Sequence, residues 1–300
     1  MGRKGYGKKK GLNHFGKLDA VLLVLLLALT LTTILPFWQT IMLSFADGAS
    51  YAQHPMYLLP YSFDVTGYRA IFGDKRFFSS LTVTLFVTIV GTSLNMVLSV
   101  TGAYVLSRKK LIGRKFFLNM ILFTMLFGGG MIPTYMVMKG MGLVNNILVL
   151  ILPTAVSTYY LIIMKNYFLS LPESLLEAAH LDGANDFQIL GKVVIPISKP
   201  FMATFFLFYA VERWNEWYLC NLYINKSALY TLQIYLRNTI IGMDNTLNEM
   251  ARQYLEKNGM VNTVAVRMAA IVVTTVPILC VYPFVQKHFV KGVMVGSIKE

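Results

Sequence analysis

The sequence has little charge and, among its charges, few acids. Asp, Glu, Lys and Arg make up 14% of its 300 residues, where soluble globular domains carry about 25%. Asp and Glu number 14 against 27 Lys and Arg, a formal net charge of +13. That excess would suit nucleic acid only on a solvated basic face with aromatic platforms. Here long uncharged runs separate the basic residues, which argues against nucleic acid as a partner. Cysteine is nearly absent: Cys220 and Cys280 both lie in or beside apolar stretches, which excludes a disulfide framework and a cysteine-based metal site. The histidines, His14, His54, His180 and His288, stand singly and offer no metal-ligand spacing. A phosphate loop is also missing, because Gly191-Lys192 is followed by Val193 and no glycine lies five residues before Gly191. No serine elbow and no convincing pair of carboxylates supports hydrolysis. The sequence therefore predicts no catalytic residue, no metal and no cofactor on this chain.

What abounds is apolar: 56% of the residues are hydrophobic, a membrane composition. A helix needs about 20 mainly apolar residues to cross the hydrocarbon layer. Six runs of that kind predict an all-α membrane protein with spans over about 20–45, 77–107, 116–138, 140–164, 200–223 and 263–286. They follow a basic tail at 1–18, and residues 19–300 form one transmembrane domain. The first run far exceeds the 7–15 residues of a signal-peptide core, so it reads as a retained helix. Glu212, Arg213 and Glu216 interrupt the fifth run.

Orientation follows from the basic residues. The tail carries Arg3, Lys4, Lys8, Lys9, Lys10 and Lys17, and the turn after the second span carries Arg108, Lys109, Lys110, Arg114 and Lys115. Both groups belong inside, which predicts cytoplasmic N and C termini in a multi-pass protein. Loops 46–76 and 224–262 then lie outside, longer than a simple turn requires.

The cytoplasmic loop 170–197 holds the densest information. Ser170 and Glu173 fit a capping box with Pro172 in the first turn. Leu175, Leu176 and Ala179 recur at helical spacing, Asp182-Gly183 stops that helix, and Asn185-Asp186 starts another. Glu173, Glu177, Asp182 and Asp186 suit a protein partner better than anionic lipid.

Glu177-Ala178-Ala179, then Gly183, then Val193, Ile195 and Pro196 resemble the EAA loop of ABC importer permeases. Trp214-Asn215-Glu216-Trp217, Leu232-Gln233, Leu236-Arg237 and the ending Gln286 to Gly292 resemble the carbohydrate branch, the type of the second maltose-importer permease. The tail GVMVGSIKE is similar to a subgroup importing oligosaccharides, uronate-containing ones included. The resemblance implies the type I importer fold in a bacterial cytoplasmic (inner) membrane. It also implies a heterodimer with a second permease, two copies of a cytoplasmic ATPase that hold ATP and Mg, and an extracytoplasmic solute-binding protein delivering a carbohydrate. Within it, Glu177 would meet a basic residue of the ATPase, Ala178 and Ala179 would permit close helix approach, and Asp182-Gly183 would form the bend.

A substrate pathway is expected at Glu212, Trp214, Asn215, Glu216, Trp217 and Tyr218. Glu212 and Glu216 are four apart and share a helical face, while Trp214, Trp217, Tyr218 and Asn221 form another. Aromatic rings beside amides suit a sugar; an aromatic belt at the interface is the plainer account. Gly128-Gly129-Gly130 with Pro133, and Pro153, would loosen the third and fourth spans, or pack them tightly. The competing reading of the whole chain is a secondary transporter or channel that uses Glu212 and Glu216 in the membrane.

Overall fold

A computed structural model describes residues 17–54, 56–245 and 262–297. The expectations placed on the rest of the basic tail, on 246–261 and on the last three residues lie outside them. Every described element is helical. They are α1 (Lys17–Leu43), α2 (Gly48–Gln53), α3 (Thr66–Gly73), α4 (Lys75–Ser107), α5 (Arg114–Leu126), α6 (Met131–Gly140), α7 (Thr158–Leu169), α8 (Glu173–Leu181), α9 (Asp186–Ile189), α10 (Ile195–Ile197), α11 (Lys199–Trp214), α12 (Tyr218–Tyr223), α13 (Leu232–Asn245) and α14 (Thr263–Ser297).

Among the described residues three stretches are unbroken helices long and apolar enough to cross a membrane: 18–43, 75–107 and 263–280. The other three expected spans are each broken. α5 and α6 meet at 115° and the turns at 147–154 meet α7 at 45°; over 200–223 α11 ends at Trp214 and α12 starts at Tyr218, while the 89° bend between 186–197 and 199–223 lies just ahead of that span. The single helix expected over 116–138 is thus interrupted at Gly128-Gly129-Gly130, where Gly130 takes φ +83°, a backbone region that costs a residue with a Cβ. The expected helix over 140–164 begins instead as two 3-10 turns, Ile147–Leu150 and Leu152–Thr154, because Pro153 cannot donate to a helix ladder.

α4 is the spine. Along its buried side run Ser80, Thr84, Thr92, Asn95 and Ser99, three to eight positions apart and all on one helical face. Small and hydroxylated residues allow close approach and hydrogen bonds where apolar burial supplies no drive. Thr84 Oγ1 accepts from the Leu232 N–H at 2.7 Å, and Ser99 Oγ lies 2.7 Å from the Tyr209 hydroxyl. α4 thereby ties together α13, α11 and α7. At the opposite extreme α1 is apolar all round and exposed along most of its length, with α14 its main helical neighbour among the described residues. Such a helix needs lipid or another subunit around it. Its Thr30, Thr32 and Thr33 hydroxyls satisfy themselves on carbonyls of the preceding turn.

Candidate functional site

Two regions carry the expected site residues, at opposite ends of α11. At the first, the loop between α7 and α11 forms two short helices with a sharp turn. Asp182 caps the C-terminus of α8, Gly183 adopts φ +79°, and the Ala184 N–H donates back to Ala179 O at 3.0 Å. This is the left-handed stop that glycine permits without strain. The capping box expected at Ser170 and Glu173 is absent: Ser170 ends α7 and donates to Tyr167 O, and Pro172 precedes α8. The box occurs instead at α9, where Asn185 and Gln188 bond each other's backbone N–H at 2.9 and 3.0 Å. Asn185 wins because its short side chain stands just before a helix that a left-handed glycine has already separated.

The loop is moored to the end of α4. Lys109 Nζ meets Glu173 Oε2 at 3.1 Å, Arg108 reaches Asp186 at 4.0 Å, and the Arg108 guanidinium lies over the Tyr104 ring, 4.2 Å from its centroid. Leu176, Ala179 and Ala184 pack on the core formed by Val100, Tyr104, Met164, Phe168, Ile189 and Tyr209. Between loop and α4 lies a cavity of about 540 Å³, with Glu177, His180 and Phe187 on its wall. Glu177, Ala178 and Asp182 are exposed, and Ala179 is half-buried. Leu181 and Phe187, which the sequence reading passed over, are 89% and 85% exposed beside them. Two large apolar side chains flanking the turn make an exposed apolar patch; the signal available in the sequence was their place on either side of Asp182-Gly183.

At the far end of α11 the helix stops at Asn215, before the expected face of Trp214, Trp217, Tyr218 and Asn221 can form. Trp214 is buried with Ile71, Phe77, Leu232, Tyr235 and Val266, whereas Trp217 and Tyr218 are each 49% exposed on the start of α12. Trp214 is accordingly a core residue, parted from the other two by the break. Glu212 and Glu216 do not share a helical face either. Glu212 accepts from the Tyr160 hydroxyl at 2.6 Å, and Glu216 Oε1 accepts from the Leu219 N–H at 2.8 Å, serving the next helix. Asn215 accepts from Gln233 at 3.2 Å and donates to Val211 O.

The residue that sequence reasoning missed is Arg213. It is 4% exposed, and its guanidinium donates to Asn95 Oδ1 at 2.9 Å, to Leu150 O at 2.9 Å, and to both the hydroxyl and the carbonyl of Thr154. Asn95 in turn donates to the carbonyls of Thr154 and Ala155 at 2.7 and 2.8 Å. The carbonyls freed by the break at 150–155 are therefore satisfied by side chains of α4 and α11, as irregular backbone at membrane depth requires. Gly91 makes room: a Cβ there would sit 3.0 Å from Arg213 Cδ.

Comparison with known proteins gives the family and the fold. The family described as binding-protein-dependent transport system inner membrane component matches residues 10–295. The polygalacturonan/rhamnogalacturonan transport system permease protein YtcP of Bacillus subtilis (strain 168) is 43% identical over 284 residues, which is 94% of this chain and 98% of that protein. Protein LplC of the same organism is 42% identical over 89% of this chain and 90% of its own length. A subunit of a bacterial ABC transporter that imports the acidic polysaccharide alginate superposes with a TM-score of 0.85 at 36% identity, over 92% of this chain and 99% of that one.

Proposed function

Because this chain belongs to the family of binding-protein-dependent transport system inner membrane components, we propose that it is one half of the translocation pathway of an ATP-driven importer for acidic oligosaccharides. The second half would be another permease subunit. Two copies of a cytoplasmic ATPase, holding ATP and Mg, would drive it, and an extracytoplasmic binding protein would deliver the sugar. The chain itself is a transport subunit in the membrane, like its relatives. Cytoplasmic termini follow from the basic clusters at the N-terminus and at 108–115.

The observation that carries this reading is the exposed turn of α8 and α9, with Glu177, Leu181 and Phe187 open on a loop that continues into α11. A cleft on the ATPase would take the two apolar side chains, and Glu177 would pair with a basic residue there. Ala178, exposed, lets the cleft approach the α8 backbone, Ala179 lets α8 pack closely on the chain's own core, and Asp182-Gly183 sets the angle between the two helices. When the ATPases close, the displaced loop would pull on 186–197 and swing α11, whose far end grips α4 and the break at 150–154 through Arg213. Access would then alternate because packed helices switch between discrete arrangements instead of deforming continuously.

The acidic substrate class is supported by what the relatives handle, polygalacturonan in one and alginate in another. The test is to purify the chain with its second permease and ATPase, replace Glu177 by Arg, and follow assembly and sugar-stimulated ATP hydrolysis. Stimulated hydrolysis is expected to fall at least about tenfold with loss of a charge-assisted contact and gain of a like charge. Full stimulation in the variant would end the coupling role of Glu177. Uptake by this chain alone on an ion gradient would overturn the importer reading and restore the channel or secondary-transporter alternative.

A further inference from the structure

Against α13 lies a groove of about 300 Å³, lined by Trp217, just before α12, and by Gln233, Leu236, Arg237, Ile240 and Ile241. We infer that this groove binds one carboxylate-bearing sugar unit of the transported chain, with Arg237 taking the carboxylate and Trp217 the apolar face of the ring. The inference rests on the importer reading above and deepens it by assigning a substrate subsite.

Three features build the site. The groove is pre-formed: Thr231 Oγ1 donates to Glu216 O at 2.7 Å, the Thr231 N–H points at Cys220 Sγ, and the Leu232 N–H is fixed on Thr84. A groove held by its own hydrogen bonds loses little freedom when it binds. Next, Arg237 is exposed, and Nη1 donates to a neutral acceptor, Asn221 Oδ1, at 3.1 Å. One of five guanidinium donors is thereby used to aim the group, which leaves an edge for a carboxylate. Among the described side chains no carboxylate pairs with Arg237, and Glu212 and Glu216 are engaged by Tyr160 and by the Leu219 N–H. Lastly, Trp217 offers a half-exposed ring beside the amides of Gln233 and Asn215. A sugar has an apolar face for such a ring and hydroxyls for such amides. A neutral sugar would need the ring and the amides but would leave the guanidinium idle, so the set as a whole fits a uronate.

The experiment uses the complete importer reconstituted in liposomes, with uptake of trigalacturonate and of its methyl ester measured while each saturates the binding protein. Arg237→Gln is expected to lower uptake kcat/KM for the acid about tenfold, the worth of one charge-assisted bond. The ester should change less than about twofold, because its neutral carbonyl never used the charge. Arg237→Lys should recover part of the loss for the acid, and Trp217→Ala should depress acid and ester alike. An equal loss on both substrates in Arg237→Gln would overturn the subsite. So would failure of the variant to assemble, which would assign the groove to the partner permease. A wild-type importer that takes the ester as well as the acid would overturn the acidic-substrate reading, and the role of Arg237 with it.

Discussion

Arg213 Nε donates to Asn95 Oδ1 at 2.9 Å in the buried centre of the chain, joining α11 to α4 across 118 residues of sequence. The bond completes a polar node in which two side chains serve the carbonyls of Leu150, Thr154 and Ala155. The node stands where α11 ends and where the stretch before α7 is broken. It makes the two discontinuities one mechanical unit.

Arg213→Ala is expected to destabilise the chain by about 3 kcal/mol, since buried acceptors would lose a charged donor and gain no water. A melting curve of the detergent-solubilised protein should show a drop of several degrees. Arg213→Lys should recover little, because one ammonium does not span acceptors on two helices. An unchanged melting temperature would remove the node as a source of stability.

Gly91→Val should be damaging for a steric reason alone, as its Cβ would press on Arg213 at 3.0 Å. Combined with Arg213→Ala, the same change should cost less than the sum of the two, by about 1 kcal/mol of coupling. Strict additivity in a double-mutant cycle would show that Gly91 and Arg213 do not share that space.

Gly183→Ala meets no neighbour but must hold φ +79°, so only backbone strain of about 1 kcal/mol is expected. Gly183→Asn should be milder, since Asn tolerates the left-handed region. ATPase stimulation should fall in the order wild type, Asn, Ala, with assembly retained. Equal activity of all three would mean the turn has slack that coupling does not use.

Leu181→Ser and Phe187→Ser change side chains that are almost bare. The isolated chain should keep its stability to within about 0.5 kcal/mol. Binding of the ATPase, measured by co-purification or by interferometry on the reconstituted permease pair, should weaken about tenfold for each if these are buried anchors of the contact. Unaltered ATPase binding would move the docking surface elsewhere.

The EAA-type loop was legible because its devices are local. A left-handed glycine stops a helix, and an asparagine before the next helix caps it, wherever they stand. Ser170 misled for the same reason: its spacing to Glu173 fits a capping box, yet α7 runs on far enough to claim Ser170 as its own end. The face expected of Trp214, Trp217 and Tyr218 failed because helical periodicity holds only while the helix continues, and this one stops at Asn215.

Composition and pattern alone determined that the chain is a helical membrane protein, where its apolar runs lie and where its glycine stop falls. Each of these depends on neighbours in sequence or on the summed apolarity of a window. Tertiary structure alone decided that Trp214 is core while Trp217 is open, that three spans are broken, and that Arg213 is a structural cation instead of a surface one. Those outcomes depend on which helix packs beside which. A freed carbonyl at membrane depth takes whatever donor the fold brings to it, and Arg213 reaches Leu150 and Thr154 only once α4, α7 and α11 have come together.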